Sequence, residues 1–374
     1  MIYLDHAASA PPLSQALETQ LRVSREAFGN PSGIHATSAL SRRHLRLARK
    51  TISEVANMPA SSIIFTSGGT ESNNWAIRMA ALSRKKKGRH IILSQIEHAS
   101  VLRSGAALEA LGFTVTRLAP GPDGRIAPRA LEAAVRPDTV LISLQSANNE
   151  TGILQDVKSF TDIARAHGIL YHCDAVQSFG HVSQPFEGAD LVTFSSHKLG
   201  GPAGVGVLAL PRGFFPPPLL EGGGQEFGLR SGTENVPAIA GFAAACEIVF
   251  SHLEQESARQ AALRDGLLAQ LRARIPHLEV NGSGPCLPHI LNLRLPGLSG
   301  ELLAARLDLR GICISTGAAC AARDPRPSHV LLAMGRTERE ARESVRISLG
   351  PSSSWEHIEQ TAQSIIDIYQ AYAK

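Results

Sequence analysis

The feature that most limits what this chain can become is a repeated unit: a short apolar run, a stop at small or polar residues, then a helical pattern. Ile63-Ile64-Phe65-Thr66 stops at Ser67-Gly68-Gly69 and leads into a helix predicted from about Thr70 to Ser83. Ile91-Ile92-Leu93 stops at Glu97-His98, before a helix near Val101 to Leu111. Val140-Leu141-Ile142-Ser143 stops at Asn148-Asn149-Glu150, Ile169-Leu170-Tyr171-His172 at Asp174, and Leu191-Val192-Thr193-Phe194 at Ser195-Ser196-His197-Lys198. Strands that alternate with helices make an α/β domain with a mostly parallel sheet. Ligands of such sheets collect beyond the carboxyl ends of the strands, which is where each of these polar clusters falls. One shared site is the physical expectation.

The rest of the chain reads differently. Pro216-Pro217-Pro218 and Gly222-Gly223-Gly224 mark a loop. A long helix is predicted from about Val236 to Arg274, with a domain boundary inside it near residue 250. A second α/β portion follows, with Ile290-Leu291-Asn292-Leu293 and Val345-Arg346-Ile347-Ser348 as its strands. At 374 residues the chain can bury a large core without staples. No stretch approaches the roughly 18 apolar residues of a membrane span. The start, Met1-Ile2-Tyr3-Leu4-Asp5-His6, has no basic segment followed by an apolar one, so a cytoplasmic location is expected. Five cysteines without a CxxC spacing fit a reduced protein and give no zinc signal; no metal site is expected. The formal charge of +4 is too small to argue for nucleic acid. The basic runs at 84–89 and 42–46 read as a helix C-terminus and a solvated helix face.

Several residues are suited to chemistry, each beside a plainer reading. Ser67-Gly68-Gly69-Thr70-Glu71 lets backbone N–H groups and the Thr70 hydroxyl approach an anion at a helix N-terminus; alternatively it is a tight turn capped by Thr70. Lys198, ending an apolar strand, is a candidate Schiff-base former or a loop lysine facing water. Ser195 and His197 beside it are able to donate to a phosphate. Asp174 needs a cationic partner such as a protonated pyridine nitrogen, or else caps a helix; Gln177 lies within reach of the same ring. A metal reading of His172, Cys173 and Asp174 is weaker, because adjacent residues rarely converge on one ion. His98 suits stacking and proton transfer, or is a satisfied structural histidine. Cys320, between Gly317-Ala318-Ala319 and Ala321-Ala322-Arg323-Asp324-Pro325, suits a flexible loop carrying a thiolate, or a small buried residue. Cys313, in an apolar run, reads as an inert buried thiol.

Taken in order, these segments resemble the cysteine desulfurases, in the class V aminotransferase-like group of fold-type I enzymes. Tyr3-Leu4-Asp5, Phe28-Gly29-Asn30-Pro31-Ser32, Phe65 to Asn74, Glu97-His98 and Asn148 to Gly152 carry the first part of the resemblance. Asp174 to Ser178, Ser195 to Pro202, Gly222 to Glu226, Arg230 to Thr233, Gly317 to Cys320 and Arg346 to Gly350 carry the rest. The resemblance implies a large domain at 15–250 that binds pyridoxal 5'-phosphate. It implies a smaller α/β domain from 1–14 and 251–374 that carries the catalytic cysteine. Lys198 would hold the cofactor, His98 stack on its ring, Asp174 pair with the ring nitrogen and Gln177 bind the ring oxygen. Gly69, Thr70, Ser195 and His197 would hold the phosphate, and Thr233 would reach the phosphate of the other subunit of a homodimer. Asn149 and Arg346 would hold the carboxylate of L-cysteine. Cys320 would take the sulfur as a persulfide and pass it to an acceptor protein of iron–sulfur assembly or thio-modification, leaving L-alanine. A selenocysteine lyase or another class V aminotransferase is the alternative. His6 and Ser9-Ala10 depart from the Asn-Ala-Thr-Thr usual near the start, as do Ala318, Ala321 and Ala322 from the hydroxyl residues usual near the cysteine.

Overall fold

The structure is a computed structural model that describes residues 1–183, 186–211, 213–214, 216–316 and 326–372. Its strands in chain order are β1 (Ile2–Tyr3), β2 (Ile63–Thr66), β3 (His90–Ser94), β4 (Thr114–Leu118), β5 (Thr139–Ser143) and β6 (Leu170–Asp174). They continue with β7 (Leu191–Ser195), β8 (Gly206–Ala209), β9 (Glu279–Val280), β10 (Ile290–Arg294), β11 (Ile312–Cys313) and β12 (Ser344–Ser348). The helices are α1 (Ser14–Glu26), α2 (Ala36–Val55), α3 (Gly69–Ser83), α4 (Ala99–Glu109), α5 (Pro128–Ala134) and α6 (Val157–Ala166). After them come α7 (Val236–Ser251), α8 (Leu253–Arg272), α9 (Gly300–Asp308), α10 (His329–Ala333), α11 (Glu338–Arg342) and α12 (Trp355–Tyr372).

The main sheet has seven strands in the order β2-β8-β7-β6-β5-β3-β4. All neighbours are parallel except β8, which runs antiparallel to both β2 and β7. Every residue of β3, β5, β6 and β7 is buried, as a sheet covered on both faces requires. Alternate side chains face opposite layers. Phe65, Ile92, Ile142, Tyr171 and Val192 join α2, α6 and α7 in one core, while Ile64, Ile91, Leu141, Leu170 and Leu191 join α3 and α4 in another. β4 lies at the edge and is half-open, and its Thr114, Thr116 and Arg117 suit that position.

A separate core gathers Leu263, Leu267 and Leu271 of α8 with Leu291, Leu293, Val345, Ile347, Ile358 and Ile365. Ile2 and Leu4 belong to it, because β1 pairs in parallel with β11. Asp5 then bridges to Ser348 at the end of β12. The chain start is thereby carried to the seam between the two parts of the molecule.

The helix predicted from Val236 to Arg274 is in fact two helices, α7 and α8, bent by 73°. His252 leaves the helical region, and the Ser251 hydroxyl donates to the Ile248 carbonyl at the end of α7. The two halves are buried differently. α7 is apolar on all sides and lies inside, whereas α8 buries only Gln260, Leu263, Leu267 and Leu271. α7 also closes on the site. A Cβ at Gly241 would stand 2.7 Å from Pro202 and 2.9 Å from the Ala16 carbonyl, so only glycine lets α7 pack against α1 and the turn after Lys198. Among the described residues, no single helix is long and apolar enough to cross a membrane.

Candidate active site

The turn after β2 forms an anion cradle. Gly68 stands at the N-cap of α3 with φ 152°, a conformation open only to glycine, so Thr70 is a first-turn residue and not the cap. The first N–H groups of a helix have no intrahelical acceptor, and those of Gly69 and Thr70 face outward with the positive end of the helix dipole. Thr66, Gly206 and Ser195 form one row across β2, β8 and β7. A Cβ on Gly206 would lie 2.6 Å from the Gly68 Cα, and one on Gly69 2.8 Å from Val176. Glycine at both positions lets the turn lie flat beside Ser195. Thr233 is exposed and, with Ser67, Gly204 and Arg230, lines a cavity of about 190 Å³ next to this turn.

A polar chain crosses the strand ends. The His98 ring caps α4, accepting from the Ser100 N–H at 3.2 Å and meeting the Ser100 hydroxyl at 2.7 Å. Asn73 of α3 donates to that hydroxyl at 3.0 Å and to the Asp174 carboxylate at 2.6 Å. The other Asp174 oxygen accepts from the Val176 N–H at 3.0 Å. Asp174 is therefore a buried acid held by neutral donors, and among the described residues it has no ion-pair partner. A buried carboxylate of this kind is suited to a cation that arrives with a ligand.

Lys198 follows β7 in a short turn. Its Nζ donates to the carbonyls of Ala7 at 2.7 Å and Ala8 at 2.8 Å, and Gln177 Nε2 donates to the same Ala7 carbonyl at 2.8 Å. His197 Nδ1 meets the Ser9 hydroxyl at 3.2 Å; burial and the Lys198 charge lower its pKa to about 4, which keeps it neutral. Arg346 of β12 is almost fully buried. Its Nη1 donates to the Asn149 carbonyl at 2.7 Å and its Nη2 to Asp5 at 2.7 Å, while its Nε finds no partner among the described residues.

Cys320 lies outside the described residues. On one side Ser315 pairs with Arg346 through two backbone hydrogen bonds; on the other the Ser328 hydroxyl donates to Glu150 at 2.5 Å. Both neighbours thus dock beside Arg346 and Asn149. Among the remaining thiols, Cys173 and Cys246 are buried and their pKa values are driven well up by desolvation. Cys313 is only half-buried, contrary to the expectation of an enclosed thiol, because β11 is a two-residue strand at the margin. His172 is satisfied by the hydroxyls of Ser143 and Thr193, which makes it structural.

The profile of the class-V aminotransferases matches residues 2–361. The cysteine desulfurase IscS of Clostridium botulinum is 38% identical over 96% of this chain and 91% of its own length. The chain belongs to the cysteine desulfurases. A solved NifS-like protein superposes with a TM-score of 0.92 at 34% identity, covering 99% of both chains. SspA, solved in complex with cysteine, superposes with a TM-score of 0.83 at 34% identity, covering 95% of this chain and all of its own. Cysteine desulfurases depend on pyridoxal 5'-phosphate, and the residues present fit that group. The glycine cradle at α3 suits its phosphate, unpaired Asp174 its ring nitrogen, and the Lys198 amine its aldehyde.

Three residues of this desulfurase site were not singled out from the sequence: Asn73, Asp5 and Glu97. Asn73 lies about one helical turn from Gly69 and Thr70, a spacing that places it on the same face of α3. Glu97 is fully buried; its Oε1 accepts from the Ser94 hydroxyl at 2.5 Å and the Gln145 N–H at 3.1 Å, and its Oε2 has no partner among the described residues. Burial raises its pKa from 4.5 to about 8. The folded protein therefore keeps a proton here that the unfolded chain loses, and stability falls as pH rises through that window. Glu97→Gln removes this slope, so its unfolding midpoint relative to wild type should climb from pH 5 to pH 8. A constant difference across that range would mean that the carboxyl is ionised in the fold.

Proposed function

We propose that this desulfurase takes sulfur from L-cysteine onto Cys320 as a persulfide, releases L-alanine, and delivers the sulfur to an acceptor protein of iron–sulfur assembly or thio-modification. One observation carries the reading: the Lys198 amine and the Arg346 guanidinium both bind the segment from Asp5 to Ala8, so the groups needed for the Cα and carboxylate of one amino acid meet there. The solved complex of SspA with cysteine supports the choice of substrate.

When bound, pyridoxal 5'-phosphate supplies an electron sink that acidifies the substrate Cα proton. Gly69, Thr70, Ser195 and His197 would hold its phosphate, Gln177 its ring oxygen, and His98 would lie against its ring. Asp174 would hold a proton at the ring nitrogen. Arg346 and Asn149 orient the substrate carboxylate, with the unpartnered Nε and a neighbouring Nη offering a two-pronged edge. Lys198 removes the Cα proton and later returns one. The Cys320 thiolate attacks the substrate sulfur. The carbon–sulfur bond breaks with its electron pair left on carbon, and protonation there makes the methyl group of alanine.

The working form is a homodimer in which Thr233 reaches the partner's phosphate site. The exposure of Phe28 (74%), Ile34 (94%) and Phe227 (61%) supports it. These residues border one side of α2, where Arg42 holds Pro31 and Gly33 and Arg49 stacks on Phe227. Large apolar side chains left this exposed are suited to burial against a second copy. The working compartment is the cytoplasm, where a catalytic thiol stays reduced.

Purified holoenzyme given L-cysteine and a reductant should release alanine and sulfide in equal amounts, and its visible cofactor absorbance should change on substrate addition. Protein that takes up no cofactor, or that makes no alanine, refutes the reading.

A further inference from the structure

An α-amino acid presents its carboxylate and its Cα proton at a fixed separation, so the groups that meet them need a common frame. The chain from Asp5 to Ala10 touches both sides of the site. Asp5 binds Arg346 at 2.7 Å, Ala7 and Ala8 accept from Lys198, Ala7 accepts from Gln177, Ser9 meets the His197 ring, and the Ala10 N–H donates to the His197 carbonyl at 3.0 Å. The segment is anchored on the small core by β1 and by the Ser348 hydroxyl, which accepts from the Ala7 N–H at 2.9 Å.

We infer that Asp5 is a positioning residue for the substrate carboxylate, fixing the Arg346 fork and, through the five residues that follow, its spacing from Lys198. The inference rests on Arg346 being the carboxylate binder. Arg346 has almost no exposure and, among the described residues, two engaged donors, one on Asn149 and one on Asp5. Asp5 is the only residue that pairs with Arg346 among the described ion pairs. Without its charge a buried guanidinium is left uncompensated and free to turn about its long side chain. With it, the Nε edge is held in one orientation, ready for a second carboxylate.

The test compares holoenzymes carrying Asp5→Asn, Arg346→Lys and both. Asp5→Asn should raise the KM for L-cysteine about tenfold or more, the size of one charge-assisted hydrogen bond, with kcat changed less than about threefold. Cofactor absorbance should be unchanged. Inhibition by cysteamine, which has the thiol and amine without the carboxylate, should be the same as in wild type, whereas general damage to the site would weaken both. The double variant should be no worse than Arg346→Lys alone, because the two residues act as one unit. Asp5→Glu, which keeps the charge on a longer arm, should fall between wild type and Asp5→Asn and serves if Asp5→Asn does not fold. If Arg346→Lys raises the KM while the Asp5 variants stay within twofold of wild type, or if the effects add, the positioning role is overturned and the carboxylate role of Arg346 stands. If Arg346→Lys leaves the KM unchanged, both fail together.

Discussion

Lys198→Ala is expected to lower desulfuration by about a thousandfold or more, because in the proposed reaction one amine both anchors the cofactor and carries the Cα proton. The phosphate cradle, Asp174 and His98 do not depend on that amine. Their contacts run through Asn73, Ser100 and backbone N–H groups, so the variant should still take up cofactor. Its visible absorbance should shift, since no lysine nitrogen remains to join the cofactor. Small primary amines added to the buffer should restore part of the rate. A variant with wild-type turnover would show that another base does the work and would remove Lys198 from the site.

The second large effect separates sulfur transfer from cofactor chemistry. Cys320→Ala should reduce sulfide release by at least about a hundredfold while the absorbance change on adding L-cysteine persists. The reason is chemical. Only a thiolate is a competent acceptor for substrate sulfur, and a methyl group offers no substitute. The other thiols are poorly placed to replace it. Cys173 and Cys246 are enclosed and held protonated by desolvation. Cys286 lies against the Arg264 guanidinium at 3.1 Å, and Cys313 sits on the marginal strand β11. Cys286→Ser and Cys313→Ser should therefore act close to wild type. Full sulfide release by Cys320→Ala would instead point to an aminotransferase-type or lyase reaction that needs no protein thiol.

Much of this arrangement was legible in the sequence, for identifiable reasons. Strands covered on both faces must be apolar throughout, so β2, β3, β5, β6 and β7 stand out as runs. Their carboxyl ends must turn polar where a ligand binds, which exposes Gly69, Thr70, His98, Asp174, Ser195 and Lys198 as a set. Direction was not legible: Gly206-Val207-Leu208-Ala209 is as apolar as its neighbours, and nothing in it says that β8 runs antiparallel. The break at His252 was hidden for a similar reason, because residues on both sides of it favour a helix; the 73° bend follows from burying α7 and α8 in different cores. Pairs distant along the chain were also invisible. Asp5 and Arg346 are 341 positions apart, and no periodicity links them. Glu97 stands beside His98 at a strand end, and nothing in the sequence says that it is fully buried with its carboxyl met by Ser94 and Gln145.

The most direct measurement is the mass of the Cys320 peptide after holoenzyme is mixed with one equivalent of L-cysteine and quenched without reductant. One added sulfur atom is expected on Cys320, formed together with alanine and removed by a thiol reductant. Alanine production with Cys320 unmodified, or with the extra sulfur on another cysteine, would contradict it.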